Sequence, residues 1–274
     1  MLQLAEASLG PDGGAGSPPE PRGASRPCRR ARGTIRPRVL QSADDDLDRF
    51  YQRLLEALGP QGWWPAETRL EVILGTILTQ NTSWRNAALA LQRLRAAKLL
   101  DLARLRAAPE VKLRSLIRPA GFYRQKTRTI RGFLRWLDET HGGSLRRMLG
   151  TPAAELRGAL LALRGLGPET VDAILLYAAG RPFFVSDAYV RRILVRHDML
   201  TENATYEEAQ GFIHRRLKRD PQMYNEFHAL LVEIGKRHCK RRAPDCQACP
   251  LEEFLPAGRL AVVRAGSSPQ PDAL

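Results

Sequence analysis

A short segment in the middle of the chain has the composition of a phosphate-binding turn. Gly165, Leu166 and Gly167 are followed by Pro168, and amphipathic stretches lie on both sides. Pro168 is suited to open a helix, because its missing N–H would have no helical partner at that position. The two glycines let the backbone approach a partner closely and leave N–H groups exposed at a helix N-terminus, where anions bind. The spacing favours a helical hairpin that holds the DNA backbone, and an ordinary connection between two helices is the alternative.

Three of the four cysteines crowd the end of the chain with a spacing typical of metal ligands. Cys239, Cys246 and Cys249 form the pattern C-x6-C-x2-C, whereas Cys28 lies near the start. Four cysteines in 274 residues are too few for a disulfide scaffold. The clustering therefore favours an intracellular chain with a metal site.

The charge of the chain points to an anionic partner. The sequence has 43 Lys and Arg against 29 Asp and Glu, a net charge of +14, which suits nucleic acid; a general bias towards Arg is the alternative. Residues 1–40 hold seven Arg and three acids, about +4, among many Pro and Gly, and we expect a disordered basic tail. No apolar run is long enough to cross a membrane, and the N-terminus resembles no signal peptide. We therefore expect a cytoplasmic protein, associated with the nucleoid if the source is prokaryotic.

Apolar residues recur at three- and four-residue steps along most of the chain, and no segment shows sustained strand alternation. Ser83 is a suitable N-cap for one of the helices, and Gly59-Pro60 stops another. The helical stretches lie near residues 44–58, 69–79, 83–94, 101–107, 111–117, 124–138, 144–149, 153–163, 168–179, 187–199, 206–218 and 222–236. The sequence therefore predicts an all-α fold with a helix-on-helix core.

The hairpin segment, followed by Val185-Ser186-Asp187, resembles the helix-hairpin-helix DNA glycosylases of the endonuclease III superfamily. The similarity runs from about residue 45 to 255 and includes the segment 77–82 and the Cys pattern. The resemblance implies two helical lobes that flank a DNA cleft. One lobe is a six-helix barrel with the hairpin, and the other is built from N- and C-terminal segments. The expected parts are a tail at 1–40, a barrel at 67–186, a second lobe at 41–66 and 187–258 with the Cys loop, and a flexible C-terminus at 259–274.

The resemblance gives Asp187 a catalytic role. Breaking an N-glycosidic bond develops positive charge on the deoxyribose, and a fixed carboxylate stabilises that charge and orients or deprotonates the attacking water. Taken alone, an Asp after Ser186 is more often an N-cap. Gln80 matches the family's wedge, which fills the gap left by an extruded nucleotide. The expected DNA-binding residues are Gln80, Gly165, Leu166, Gly167, Glu169, Thr170 and Lys236.

Bifunctional members of the family carry a lysine in the second hairpin helix, where its amine forms a Schiff base with the sugar. The matching position in this chain is Glu169. A carboxylate forms no imine, so we expect a mainly monofunctional glycosylase. Lys126 or Lys236 is an alternative source of the amine.

A group of three tryptophans and a proline resembles the residues that line the base pocket in the 3-methyladenine DNA glycosylase branch. They are Trp63, Trp64, Pro65 and Trp84. Core packing is the usual role of scattered tryptophans. However, an N-alkylated purine is cationic, and electron-rich indoles favour it over a neutral base by about 0.5–2 kcal/mol. We therefore expect these side chains to line the base pocket.

The Cys pattern reproduces three positions of the family's iron–sulfur loop, C-x6-C-x2-C-x5-C, and Leu255 stands at the fourth. Leu255 cannot bind iron, and three options remain: a cluster with a fourth ligand that is not Cys, zinc held with His238, or no metal. The other histidines share no metal-ligand spacing and are interpreted as structural or surface residues. They are His141, His197, His214 and His228.

Together these features predict a base-excision repair DNA glycosylase that flips out and hydrolytically removes a damaged base, an N-alkylated purine, and leaves an abasic site. The expected partner is double-stranded DNA with a damaged base, and the protein is expected to be a monomer without membrane contact. One alternative is an endonuclease III-like glycosylase for oxidised pyrimidines with lyase activity. Another is a non-catalytic hairpin module that binds DNA.

Overall fold

The computed structural model describes residues 43–64 and 66–256, which fold into helices without any β-strand. The prediction of an all-α fold is confirmed. The basic tail, Cys28, Pro65 and residues 259–274 lie outside the described residues. Within the described part, no helix is both long and apolar enough to cross a membrane.

The helices follow the predicted stretches to within a few residues. In chain order they are α1 (Ala43–Leu58), α2 (Arg69–Thr79), α3 (Trp84–Ala96), α4 (Leu102–Ala107), α5 (Glu110–Leu116), α6 (Tyr123–His141), α7 (Leu145–Gly150), α8 (Ala153–Leu161), α9 (Pro168–Ala173), α10 (Ala188–Arg196), α11 (Tyr206–Arg216) and α12 (Pro221–Arg237). A π-helical turn, Ile174–Ala178, continues α9, and two 3₁₀ turns occur at Arg118–Ala120 and Glu252–Phe254.

Local hydrogen bonds fix where the helices begin. Ser83 caps α3, as predicted, by accepting the N–H of Asn86. At the start of α11, Thr205 and Glu208 form a reciprocal capping box. Each of these bonds pairs a backbone N–H that has no partner inside the helix.

The helices enclose two hydrophobic clusters. The first is built by α2 to α9 and the π-helical turn, from Leu70 to Ala178. The second joins α1 to α10, α11 and α12, and Phe50, Tyr224 and Phe227 are among its fully buried rings. Ala173, Leu176, Phe184 and Val185 also belong to the second cluster, although they precede the predicted lobe boundary at 187. The segment between the π-helical turn and α10 therefore connects the two clusters.

A buried group of polar side chains fastens this connecting segment to the hairpin helix. Asp172 in α9 has no solvent exposure, and Arg157 donates to both of its carboxylate oxygens, over 2.7 and 3.1 Å. Tyr206 and Gln210 of α11 also donate to Asp172, over 2.9 and 2.8 Å. The Gln210 amide donates in addition to the carbonyl of Phe184, over 2.7 Å. The charge of Asp172 is thus fully paired, which a buried carboxylate requires.

Candidate active site

A cavity of about 490 Å³ lies between the two hydrophobic clusters. Its volume falls in the range of about 300–1,000 Å³ that is usual for small-molecule pockets. Eight of the residues expected in the site line it: Trp63, Trp64, Gln80, Trp84, Glu169, Thr170, Asp187 and Lys236. Because they come from distant parts of the chain, the fold brings together the predicted catalytic, base-pocket and DNA-binding side chains.

The hairpin lies at the edge of this cavity, and its backbone explains both glycines. Gly165 has a φ of +93°, and a Cβ there would collide with the Thr129 hydroxyl of α6. Leu166 is buried in the first cluster, and Pro168 occupies the first turn of α9. Gly167 has open space around it, which leaves the backbone free for a close approach by a partner.

Gln80 connects the end of α2 to the hairpin. Its side-chain amide donates to the carbonyl of Gly165 over 2.9 Å and to the hydroxyl of Thr170 over 2.8 Å. These bonds orient the hairpin against α2 at the cavity edge. A wedge role for Gln80 would require them to break when DNA binds.

Asp187 caps α10 and also faces the cavity. Its Oδ1 accepts the N–H groups of Tyr189 and Val190, over 2.8 and 2.9 Å. Its Oδ2 lies 3.7 Å from Nε2 of His228. Burial raises the pKa of Asp187, but His228 and the two backbone N–H groups outweigh burial and hold the pKa below its ordinary value. The carboxylate is therefore kept ionised, and only Oδ1 is used for capping the helix.

Glu169 places a second carboxylate at the same cavity. It lies in the first turn of α9 at the exposed mouth. Loss of solvent around the carboxyl raises the pKa of Glu169, and the negative charge of Asp187 raises this pKa further. The two carboxylates are therefore shifted in opposite directions, an arrangement typical of sites that carry acid and base groups.

Aromatic rings form one wall of the cavity. The ring centroids of Trp64 and Trp84 are 4.9 Å apart, those of Trp63 and Trp84 5.8 Å, and those of Trp64 and Tyr177 5.2 Å. Gly75 of α2 lets Trp64 pack closely, since a Cβ there would lie 3.0 Å from the indole. The Lys236 ammonium lies 5.6 Å from the centroid of Trp63. The wall thus already accommodates a cation on an indole face.

The two alternative lysines have different surroundings. Lys126 is buried outside the cavity, where its ammonium donates to the carbonyls of Leu78 and Ala120 over 2.9 and 2.8 Å. Burial lowers its pKa to about 8. The alternative that Lys126 supplies an amine to the site is therefore wrong, because its Nζ ties the end of α2 to the segment before α6. Lys236 does line the cavity.

Two further side chains in the cavity were missed by sequence reasoning. His228 of α12, interpreted above as structural or surface, is buried and lines the cavity, and its Nδ1 lies 2.5 Å from the Tyr177 hydroxyl. Tyr177 reaches the cavity from the π-helical turn, a feature often found at functional sites. No motif identifies either residue, because their contact spans 51 residues of sequence.

His214 anchors the segment that leads to Asp187, and this predicts a pH dependence. Its Nε2 accepts the N–H of Phe184 over 3.0 Å, and burial lowers its pKa to about 4. In the unfolded chain a histidine takes up a proton near pH 6.5, whereas His214 in the folded protein does so only near pH 4. The contribution of His214 to the free energy of unfolding is therefore fully retained above pH 6.5. Between pH 6.5 and 4 this contribution falls by about 2–3 kcal/mol, because the proton binds preferentially to the unfolded chain.

Urea unfolding at pH 7, 5.5 and 4.5 measures this loss, with His214→Gln as the control. Gln keeps an acceptor for the Phe184 N–H but does not titrate in this range. The variant should lose less stability than the parent on acidification, and parallel losses would show that His214 is not the group responsible.

The three clustered cysteines do not fit a four-thiolate cluster. Cys239, Cys246 and Cys249 border one small cavity together with His238, and Leu255 at the fourth position is buried there as an apolar side chain. Among residues 43–64 and 66–256, no three His, Cys, Asp or Glu side chains are grouped so that they could hold a metal ion. The donor set thus lacks the fourth thiolate of the family's loop, and the three options, a cluster with a fourth ligand that is not Cys, zinc with His238 and no metal, stay predictions.

Protein hydrogen bonds hold this Cys loop against α10. Arg192 donates to the carbonyls of Cys239 and Gly235, over 2.7 and 3.2 Å. Arg196 donates to the Cys239 sulfur over 3.1 Å and to the carbonyl of Arg241 over 3.2 Å. Two arginines of the helix that Asp187 caps thus fasten the start of the loop.

Comparison with known proteins agrees with this arrangement. Residues 74–219 match the family model described as HhH-GPD superfamily base excision DNA repair protein. One relative is MJ1434 of Methanocaldococcus jannaschii, a protein assigned by inference as a DNA repair glycosylase. The two sequences are 42% identical over 75% of this chain and 94% of the relative. The chain is 30% identical to endonuclease III of Thermotoga maritima, over 66% of this chain and 79% of the relative.

Solved structures share the fold. A non-covalent endonuclease III–DNA complex superimposes with a TM-score of 0.69 at 20% identity, covering 81% of this chain and 99% of that one. The 3-methyladenine DNA glycosylase MagIII of H. pylori, bound to 1,N6-ethenoadenine, gives a TM-score of 0.61 at 26% identity, over 71% and 97% of the two chains. The chain therefore belongs to the HhH-GPD superfamily of base excision DNA repair proteins, a family of DNA glycosylases.

Proposed function

We propose that this chain is a DNA glycosylase that removes N-alkylated purines from double-stranded DNA and leaves an abasic site. The observation that carries the proposal is a cavity with an aromatic wall facing an ionised carboxylate, Asp187. Such a pocket favours a flat cation. The likeness to a 3-methyladenine DNA glycosylase supports this choice.

The position of Lys236 supports a cationic ligand in particular. Its ammonium lies over the ring of Trp63, inside the cavity that a flipped base would enter. Its side chain is 39% exposed, so it can move aside at little cost. An alkylated purine would take the same indole face and gain cation–π attraction, whereas a neutral base would gain only stacking.

The reaction follows from the groups around the cavity. The hairpin N–H groups would hold the DNA backbone, and Gln80 would fill the gap in the duplex while the damaged nucleotide turns into the pocket. Oδ2 of Asp187 would stabilise the positive charge that develops on the sugar as the bond to the base breaks, and it would orient the attacking water. An alkylated purine leaves as a neutral base, so its departure needs less assistance.

Base release tests the proposal. The protein is incubated with methylated duplex DNA that contains 3-methyladenine and 7-methylguanine, and in parallel with duplexes that contain thymine glycol or uracil. We expect free methylated purine and little release from the other duplexes. Release of oxidised pyrimidine alone would support the endonuclease III-like alternative instead.

Replacing Trp63 by Leu is expected to reduce selectivity for cationic bases. Losing about 0.5–2 kcal/mol of cation–π attraction corresponds to a decrease of about 2- to 30-fold in the release of methylated purine relative to a neutral damaged base. Trp63→Phe should keep most of the selectivity. Trp136→Leu is the matched control, since Trp136 packs against Phe133 and His141 outside the cavity. Equal selectivity in all variants would contradict an aromatic base pocket at Trp63.

We also propose that the enzyme is monofunctional. Support comes from Glu169, which lines the cavity where a Schiff-base lysine would be needed, although Lys236 offers an amine to the same space. Borohydride trapping on abasic DNA should leave the parent protein and Lys236→Met uncrosslinked. Glu169→Lys, which restores the amine, should give a trapped complex. Rapid trapping of the parent that Lys236→Met abolishes would identify a lyase instead.

We further propose that the Cys loop is held without a metal. The arginine contacts from α10 and the buried Leu255 support this. Elemental analysis of the purified protein should find less than about 0.1 iron or zinc per chain. Replacing Cys246 and Cys249 together by Ser should leave the melting temperature nearly unchanged, and about four iron atoms per chain would contradict the proposal.

A further inference from the structure

Two side chains of the cavity, His228 and Tyr177, lie next to the oxygen of Asp187 that does not cap α10. His228 is buried, and its Nε2 has no hydrogen-bond partner, yet it lies 3.7 Å from Oδ2 of Asp187. On the other side of the ring, Nδ1 lies 2.5 Å from the hydroxyl of Tyr177. The three side chains form a row that ends at Oδ2 of Asp187.

The direction of the hydrogen bonds in this row follows from the group at each end. Burial, with the nearby charge of Asp187, raises the pKa of Tyr177 far above its ordinary value, so the phenol stays protonated and is able to donate to Nδ1 of His228. At the other end, Nε2 lies 3.7 Å from an ionised carboxylate oxygen, which can only accept, so the favoured tautomer of a neutral imidazole carries its proton on Nε2 and accepts from Tyr177 at Nδ1. The Nε2–H therefore points towards Oδ2 of Asp187.

We propose that His228 is a positioning residue for Asp187: its Nε2–H donates to Oδ2 when a nucleotide fills the cavity, and Tyr177 fixes the required tautomer. The present separation is longer than a hydrogen bond, and catalytic hydrogen bonds commonly tighten when substrate binds. The bond keeps the carboxylate ionised and directs Oδ2 towards the sugar. The N-cap bonds alone do not fix Oδ2, because they involve only Oδ1. The inference rests on the proposed function of this site.

Other charged and titratable groups face the same space and enter the pH behaviour. They are Asp187 and Tyr189 at the start of α10, Glu169 in α9, Tyr177 in the π-helical turn, Arg85 in α3 and Lys236 in α12. Glu169 adds negative charge near Asp187, whereas Lys236 adds positive charge. The imidazole of His228 lowers the pKa of Glu169 as well as that of Asp187, so its loss should raise the pKa of both carboxyls, and a titration resolved at Asp187 is needed beside the pH–rate profile.

The rate of base release under single-turnover conditions tests the proposal over a range of pH. His228→Phe keeps the ring but removes the N–H, and it should slow release about 10- to 100-fold and move the acid limb of the pH–rate profile to higher pH. His228→Gln keeps an N–H donor and should retain most of the rate. Tyr177→Phe should lie between them. A merely structural ring would lower rate and melting temperature together in all variants and leave the acid limb in place, which would overturn the proposal.

A second measurement does not depend on activity. Titration of the Asp187 carboxyl carbon by NMR, assigned by its loss in Asp187→Asn, should show a higher apparent pKa in His228→Phe than in the parent, because the imidazole holds that pKa down. An unchanged titration would overturn the inference even if base release is found. A shifted titration without base release from any duplex would support the inference while contradicting the proposed function.

Discussion

Asp187→Asn is expected to slow base release by about two to four orders of magnitude and to leave DNA binding nearly unchanged. The amide lacks the negative charge that would stabilise a developing oxocarbenium ion. Asn is also as good an N-cap as Asp, so α10 keeps the bonds from Tyr189 and Val190. The substitution therefore separates chemistry from capping, and single-turnover release from methylated DNA measures it.

Asp220→Asn is the matched control. Asp220 caps α12 by accepting the N–H of Met223 over 2.7 Å and does not line the cavity. The same change of charge at an equivalent helix start should leave the rate within about twofold. If Asp187→Asn were as active as the parent, the catalytic assignment would be wrong and a non-catalytic DNA-binding module would be favoured.

Asp172→Ala is expected to lower the free energy of unfolding by about 3–5 kcal/mol, because it leaves the charge of Arg157 without its buried partner. It also removes the acceptor for Tyr206 and Gln210, which hold the segment before Asp187. A loss of stability and a slower base release should therefore appear together. The urea midpoint measures the first effect.

Asp138→Ala provides the comparison. Asp138 also pairs with an arginine, Arg106, but its side chain is 44% exposed. Exposed pairs contribute about 0–1 kcal/mol, so this variant should unfold near the parent midpoint. Equal losses in the two variants would show that burial of Asp172 adds nothing.

The helices were predictable because their signals are local. Apolar periodicity, the Ser83 cap and the Gly59-Pro60 stop lie within a few residues of the structures that they determine. The hairpin was also predictable, since Gly165 requires a positive φ and Pro168 a helix start. At Asp187 the interpretation from the residue alone is confirmed, because Oδ1 caps α10; the side chain also lines the cavity, and its catalytic role stays a prediction.

What could not be predicted depends on contacts between distant residues. Lysine is rarely buried, and the sequence around Lys126 does not predict that two backbone carbonyls accept its N–H groups. His228 has no motif, because its partners Tyr177 and Asp187 lie on other helical segments. Periodicity also gave no sign of the π-helical turn, which continues the apolar pattern of α9.

The aromatic wall has an optical consequence. Three of the four tryptophans, Trp63, Trp64 and Trp84, line the cavity, and Trp136 lies elsewhere. A base that stacks on these indoles is expected to quench their fluorescence. In Trp136→Phe, all remaining tryptophan emission comes from the cavity wall. Entry of a nucleotide is then readable in unlabelled protein, on the timescale of a stopped-flow mixing experiment and before any bond is broken.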